Sequence, residues 1–378
     1  MEYKKISEVT TVVTGGTPST AVSEYWDNGT IPWLQSGCCQ NCDVDYAEKF
    51  ITQAGYDNSS TRLMPKDTVM IALTGATAGK IGYLNFEACG NQSITGIFPC
   101  KKLNQRFLYY YLISKRNKIL ADCVGGAQAH ISQGYVKNIE IPLFDLSEQN
   151  EMVEVLDRIS KVISSRKQEI KQLDNLIKAR FVELFENSNY PVFKLGEVCT
   201  KITDGTHKTP TYLESGITFI SAKNIINGEL DFSDIKHISE QEYAEIQKRC
   251  QTEMGDILLS KSGSLGSPVI VKTTQKLGLF ESLAVIKYDR DRLLPEFLCE
   301  QLKTDRIQRQ FKVGTKGVAI KHLHLGVISD IGVIVPSLEE QNQFAAFVEQ
   351  TDKSKLAIQQ SLEKLETLKG ALMQKYFG

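Results

Sequence analysis

A strand-to-helix entry occurs twice in this chain, and the repetition limits what the chain can fold into. From Ile141 it reads I-P-L-F-D-L-S-E-Q-N, and from Ile334 it reads I-V-P-S-L-E-E-Q-N. Aligning Glu148-Gln149-Asn150 on Glu340-Gln341-Asn342 sets an offset of 192 (340 − 148). At that offset the apolar periods of the two following runs coincide. Leu156, Ile159, Ile163, Arg166, Ile170, Leu173, Ile177, Arg180 and Leu184 recur at alternating three- and four-residue steps. Val348, Thr351, Lys355, Ile358, Leu362, Leu365, Lys369, Leu372 and Tyr376 take the matching places. This is the a/d seam of a coiled coil, with Lys, Arg, Glu and Gln elsewhere on the helix. Helices of roughly 36 to 40 residues would be about 55 to 60 Å long. Two such rods in one chain most simply pair with each other.

The parts between the rods also repeat. Leu195-Gly196-Glu197-Val198 matches Ile6-Ser7-Glu8-Val9, and Thr203-Asp204-Gly205-Thr206 matches Thr14-Gly15-Gly16-Thr17, both at an offset of 189. Ile217-Thr218-Phe219-Ile220 stands for the strand at Trp33, and Asp256-Ile257-Leu258-Leu259-Ser260 for the strand after Asp67. Helical spacing from Phe107 returns at Phe297, and the loop from Gly125 (with Gln128) returns from Gly314 (with Gly317). The blocks Cys38 to Leu63 and Lys223 to Thr252 do not resemble each other. A tandem duplication with one frame and two fillings accounts for this pattern. The expected fold is α+β: two mixed domains, 1–145 and 188–338, separated by two long coiled-coil helices, 146–187 and 339–378, in an internal repeat.

At 378 residues, each of two domains can bury its own core. The apolar runs are short of a membrane span and Met1-Glu2-Tyr3-Lys4-Lys5 lacks the apolar core of a signal peptide, so a cytoplasmic protein is expected. Cys38, Cys39 and Cys42 form a C-C-x-x-C cluster with no second pair to complete four zinc ligands, which leaves free, partly buried thiols. A net charge of −1 argues against gripping nucleic acid by bulk electrostatics alone.

No catalytic or metal site emerges. Gly75-x-x-x-Gly79-Lys80 has three residues between its glycines where a P-loop has four, and Ile81 stands where Ser or Thr would hold magnesium, so a tight strand-to-strand loop is expected. Asn189-Tyr190-Pro191-Val192-Phe193 lacks the paired prolines of an adenine methyltransferase loop and reads as a linker. His322 and His324 have no further ligands for a metal. Binding chemistry is better represented. Thr206, His207 and Lys208 offer a hydroxyl, an imidazole and a cation suited to phosphate oxygens. Lys223, Asn224, Lys261 and Ser262 follow strand ends in the second domain, and Gln35, Thr74, Thr77 and Lys80 are their counterparts in the first. Amides read adenine and lysine reads guanine where they reach a major-groove edge; the bland alternative is solvated loops.

The combination resembles the specificity subunit of type I restriction–modification systems. It is carried by T-G-G-T-P-S at 14–19 with Tyr25-Trp26 and Ile31-Pro32-Trp33, by D-G-T-H-x-T-P at 204–210, by D-I-L-L-S at 256–260 and by the two E-Q-N rod entries. Two departures stand out: Pro142-Leu143-Phe144-Asp145 replaces the family's I-P-x-P-P entry, and Gln128 of the Gly-Thr-x-Gln loop becomes Gly317 in the second copy. The resemblance implies a non-catalytic, DNA-binding subunit. Its two domains, related by a pseudo-twofold and held apart by an antiparallel helix pair, each read half of a bipartite double-stranded DNA sequence, and that pair sets the spacer. It also implies two modification subunits that methylate adenine and nuclease–translocase subunits, with S-adenosylmethionine, ATP and magnesium held on those partners and no cofactor in this chain. A coiled-coil adaptor that binds only proteins is the competing class; it would not need two differing loop-rich domains on a repeated frame.

Overall fold

The computed structural model describes residues 2–122, 130–186, 188–314 and 322–378. The expected loops around Gln128 and Gly317 lie outside these. Two compact units are present, one formed by Met1–Arg166 with Ser361–Gly378 and the other by Lys167–Gln360. Each unit therefore holds one globular domain, the start of one rod and the end of the other.

In the first unit, strand Glu2–Lys5 pairs antiparallel with Glu140–Leu143 and closes the domain at the rod entry. One sheet has the order Val12–Thr14, Ile94–Ile97, Val69–Ala72, Ile81–Leu84, Cys42–Val44. A second has the order Lys49–Ile51, Ile31–Leu34, Ala88–Gly90, Leu63–Met64. Three central strands of the first sheet, at 69–72, 81–84 and 94–97, are buried along their whole length, as expected for apolar runs covered on both faces.

The second unit repeats this topology. Val192–Lys194 pairs with Gly332–Ile334. The main sheet runs Cys199–Asp204, Leu283–Tyr288, Ile257–Ser260, Pro268–Ile270, and the smaller one Lys236–Ile238, Ile217–Ile220, Leu277–Leu279. In both units the Trp33-type strand pairs parallel to the strand before the central turn. The fillings differ: a fifth strand at Cys42–Val44 in the first domain, and a hairpin at 225–230 with helix Glu240–Arg249 in the second.

The duplicated E-Q-N entry has a physical cause. Gln149 is fully buried, donates from Nε2 to the carbonyls of Phe144 (2.8 Å) and Lys102 (3.3 Å), and accepts from the Asn104 amide (2.8 Å). Gln341 makes the same three bonds, to Pro336 (2.9 Å), to Arg292 (2.8 Å) and from Leu294 (2.9 Å). Glu148 and Glu340 accept from the amides of Asp145 and Ser337 at the first turn of each rod, as capping residues do. The motif thus stitches a helix start to its own domain.

The rods run Leu146–Phe181, continued by a π-helical turn Val182–Glu186, and Leu338–Phe377. Every expected seam position is buried or half-buried, while Leu176, Leu356 and Leu368 off the seam are exposed. In the second unit Asp174 meets Lys355 at 2.8 Å, while Phe181 stacks on Phe344 with centroids 5.5 Å apart, so the later residue of one rod meets the earlier of the other. The helices are antiparallel there. Their ends insert into the domains at equivalent points: Phe377 packs on Phe107 at 5.4 Å and Phe185 on Phe297 at 5.1 Å. Tyr190 of the linker donates to Glu340, tying that segment to the start of the second rod.

Candidate nucleic-acid interface

The duplicated T-G-G-T and T-D-G-T loops are positioned by their glycines. Gly15 donates its amide to the Ile94 carbonyl and Gly205 to that of Leu283; the next residues, Gly16 and Thr206, donate to Gly90 and Leu279. A Cβ on Gly15 would lie 2.0 Å from the Gly90 oxygen, and one on Gly205 2.1 Å from that of Leu279, so only glycine fits either place. The structure therefore aligns Gly15 with Gly205, an offset of 190, and corrects the sequence alignment by one residue. Thr14 is the counterpart of Asp204, and Thr17 of His207.

That shift shows how differently the two copies use one frame. In the first domain Thr14 shares a hydrogen bond with Thr95 across the strand pair (2.9 Å), and Thr17 donates to Gln92. In the second, Asp204 is buried and accepts from both Lys261 and Arg249. His207 lies with Nδ1 2.6 Å from Glu281 and with Nε2 3.2 Å from an Arg249 nitrogen. Nε2 also lies 3.4 Å from Asp204, so the imidazole sits between two carboxylates and the Arg249 guanidinium. Burial alone would raise the Asp204 carboxyl pKa; the Lys261 ammonium and Arg249 guanidinium outweigh it and hold that group below its ordinary range. Charges of opposite sign thus replace two pairs of neutral groups.

The expected site residues fall into two clusters. In the first domain Thr74 donates to Ser93 (3.0 Å), and Lys80 donates to Gln40 (2.6 Å) in the segment that begins at exposed Gln35. Thr77 ends a helical turn at Gly75–Thr77, between Gly75 and Gly79, which take φ of 74° and 71°. This loop links antiparallel strands, as expected, rather than opening a helix. In the second domain Lys223 and Ser262 border one open cleft of about 690 Å³ with Asn227, Phe280 and Ser282. Thr206 accepts from the Lys208 amide (3.2 Å) and, with exposed His207 and Lys208, lies beside Phe280 and Glu281.

Asn224 and Lys261 differ from the expectation of free loop donors. Asn224 is buried, accepting from the Ser221 amide and donating to the carbonyls of Asp231 and Asp234. The Lys261 side chain is 3% exposed and held by Asp204. Both shape the loops that carry their neighbours. Lys223 is exposed and paired with Asp234 (2.8 Å). Cys38 is half-buried, Cys39 buried and Cys42 exposed, all as free thiols. Among the described residues no cluster of three His, Cys, Asp or Glu side chains is arranged to hold a metal.

Gln92, Arg249, Asn227, Phe280 and Glu281 were not singled out from sequence. A signal existed for three of them: Asn91-Gln92-Ser93 and Phe280-Glu281-Ser282 sit at an offset of 189, within the 189–192 range of the repeated loops and rods.

The paired sheets, rods and loop clusters define a tandem recognition-domain protein built on one duplicated frame. The type I restriction modification DNA specificity domain matches residues 1–175 and again 187–368, and the chain belongs to that family of specificity subunits. It is 24% identical to the MjaIX specificity subunit of Methanocaldococcus jannaschii over 99% of this chain and 92% of that one. It is 29% identical to the EcoR124I/EcoR124II specificity subunit of Escherichia coli, over 44% of this chain and 42% of that protein. The type I restriction–modification S subunit of M. genitalium has the same fold, with a TM-score of 0.51, 17% identity and coverage of 100% and 96%. A structure from a study of type I complex assembly and conformational transition aligns with a TM-score of 0.56, 18% identity and coverage of 100% and 97%. Among the described residues no helix is long and apolar enough to cross a membrane.

Proposed function

We propose that this chain is the non-catalytic DNA sequence-recognition subunit of a type I restriction–modification complex. Each domain reads one half of a bipartite target. The rods set the spacing between the halves and dock two modification subunits, which join nuclease–translocase subunits. S-adenosylmethionine, ATP and magnesium are assigned to those partners.

The observation that carries this reading is one strand order, used twice, with different chemistry at the same loop positions. A protein reading two unlike half-sites needs one scaffold and two sets of side chains at its reading edge. An adaptor has no such need. A net charge of −1 accords with partners supplying much of the phosphate neutralisation.

The test is the adenine methylome of cells that co-express the chain with a modification subunit of the family, beside cells lacking the chain. Methylation in one split motif with a fixed spacer, absent without the chain, is expected. Replacing residues 1–145 with another first domain should change one half only. Methylation that is unchanged without the chain, or that falls at a continuous site, would remove the proposal.

A further inference from the structure

The turns Asn91–Ser93 and Phe280–Ser282 occupy the same place in the two domains. The amides of Asn91 and Phe280 donate to the last residue of the Trp33-type strand, Leu34 and Ile220. The carbonyls of Ser93 and Ser282 accept from Leu73 and Lys261, the residues that follow the central strand. Each turn is thereby fixed between the glycine loop, the loop after the central strand and the end of the Trp33-type strand. All three neighbours carry the site residues named above. The middle residue differs in kind: Gln92 in the first domain, Glu281 in the second.

Building on the DNA-reading function, we infer that Gln92 and Glu281 are equivalent specificity-determining residues, each setting one base pair of its half-site. Gln92 is exposed, and its carbonyl accepts from Thr17. That contact holds the amide beside the glycine loop. Among the described residues nothing takes up its Nε2 donors, so a donor and an acceptor lone pair remain to meet adenine N7 and N6. Glu281 is one-third exposed and held through one oxygen by His207, leaving the other to accept a hydrogen bond from a base. A carboxylate has no donor of its own and selects the cytosine amino group. Its charge is tolerable beside phosphates because the cationic Lys261 and Arg249 stand in the same cluster as Asp204 and Glu281. The first domain therefore requires an A·T pair at the Gln92 position and the second a C·G pair at the Glu281 position.

The experiment compares Gln92→Ala and Glu281→Ala with the parent chain, each co-expressed with a modification subunit. It reads the methylated motif and, on purified complexes, the motif recovered from a random duplex library. Gln92→Ala should relax one A·T position in the first half, with discrimination there falling about tenfold or more. The other half and the spacer should stay unchanged. Glu281→Ala should do the reciprocal at one C·G position. Recovery of the parental motif from both variants overturns the inference. So does loss of the whole motif by a variant whose unfolding midpoint equals the parent's. A parent chain that directs no split-motif methylation at all defeats the functional reading instead, so the two failures are told apart.

Discussion

The two domains share a backbone frame and differ in the side chains at the same loop positions. In the first, Thr14–Thr95 and Thr17–Gln92 are neutral pairs, and Leu73 follows the central strand. In the second, the same places hold Asp204, His207–Glu281 and Lys261. A sheet frame satisfied by its own hydrogen bonds leaves these positions free to vary. Variation in pairs is still required, because a buried charge without its partner costs far more than the pair gains. The two domains differ at these places as whole sets, neutral in the first and charged in the second.

The strongest way to break this comparison is to install first-domain residues singly. Lys261→Leu copies Leu73 but leaves the buried Asp204 carboxylate to Arg249 alone, and should cost about 2–3 kcal/mol. Adding Asp204→Thr, which copies Thr14, should recover most of that loss, since an apolar or neutral replacement of a whole buried pair is often near neutral. Urea unfolding of the full chain, with amide exchange on Leu283–Tyr288 reporting the second domain, measures both. Recovery that fails in the double variant would mean the frames are not interchangeable at these positions.

The rod entries sharpen the comparison from the other side, because here the two copies are alike. Gln149→Leu and Gln341→Leu each leave an amide and two carbonyls of one entry without their partner, at a cost of about 2–3 kcal/mol. The two variants should lose the same amount, each in its own unit, by exchange protection of the strands at 140–143 and 332–334. Unequal losses would show that the second entry has drifted from the first.

Acid separates the domains again. The Asp204 carboxyl is held below its unfolded value, so its contribution is fully present above about pH 4 and is lost as pH falls through the folded value. The Thr14–Thr95 pair has no titrating group. Amide protection in strand Cys199–Asp204 should therefore fall before that in Val12–Thr14 as the pH drops from 5 towards about 3. Simultaneous loss would point to carboxylates common to both domains.

Much of the architecture was legible because it is periodic. The seam positions of both rods are buried or half-buried, and the strand at 69–72 and residues 257–259 of its counterpart are continuous apolar runs. The site was legible only as loops. Lys261 reads as a solvated cation, yet its neighbour across the sheet is Asp204, 57 residues earlier. Asn224 reads as a free amide, yet backbone from three residues consumes it. Burial and pairing are set by long-range register, and a one-residue slip between Gly15 and Gly205 was enough to hide the Thr14–Asp204 correspondence.

The smallest effect lies in the rods, where the seam itself carries the asymmetry. Lys355 occupies the position that Ile163 holds in the first rod; it pairs with Asp174 at 2.8 Å and Asp352 at 3.0 Å. Asp174 and Asp352 are about half exposed, so removing the lysine leaves both carboxylates in water at little cost. Lys355→Ile exchanges a half-exposed ion pair for buried apolar area and should raise stability by about 1 kcal/mol, read as a shift in the urea midpoint. A polar group at one seam position also disfavours alternative registers. The variant should therefore populate additional associated species in sedimentation as its midpoint rises. A higher midpoint with no added association would assign Lys355 to local packing alone, while an unchanged midpoint would show that its two carboxylate contacts are worth as much as the side chain of Ile163.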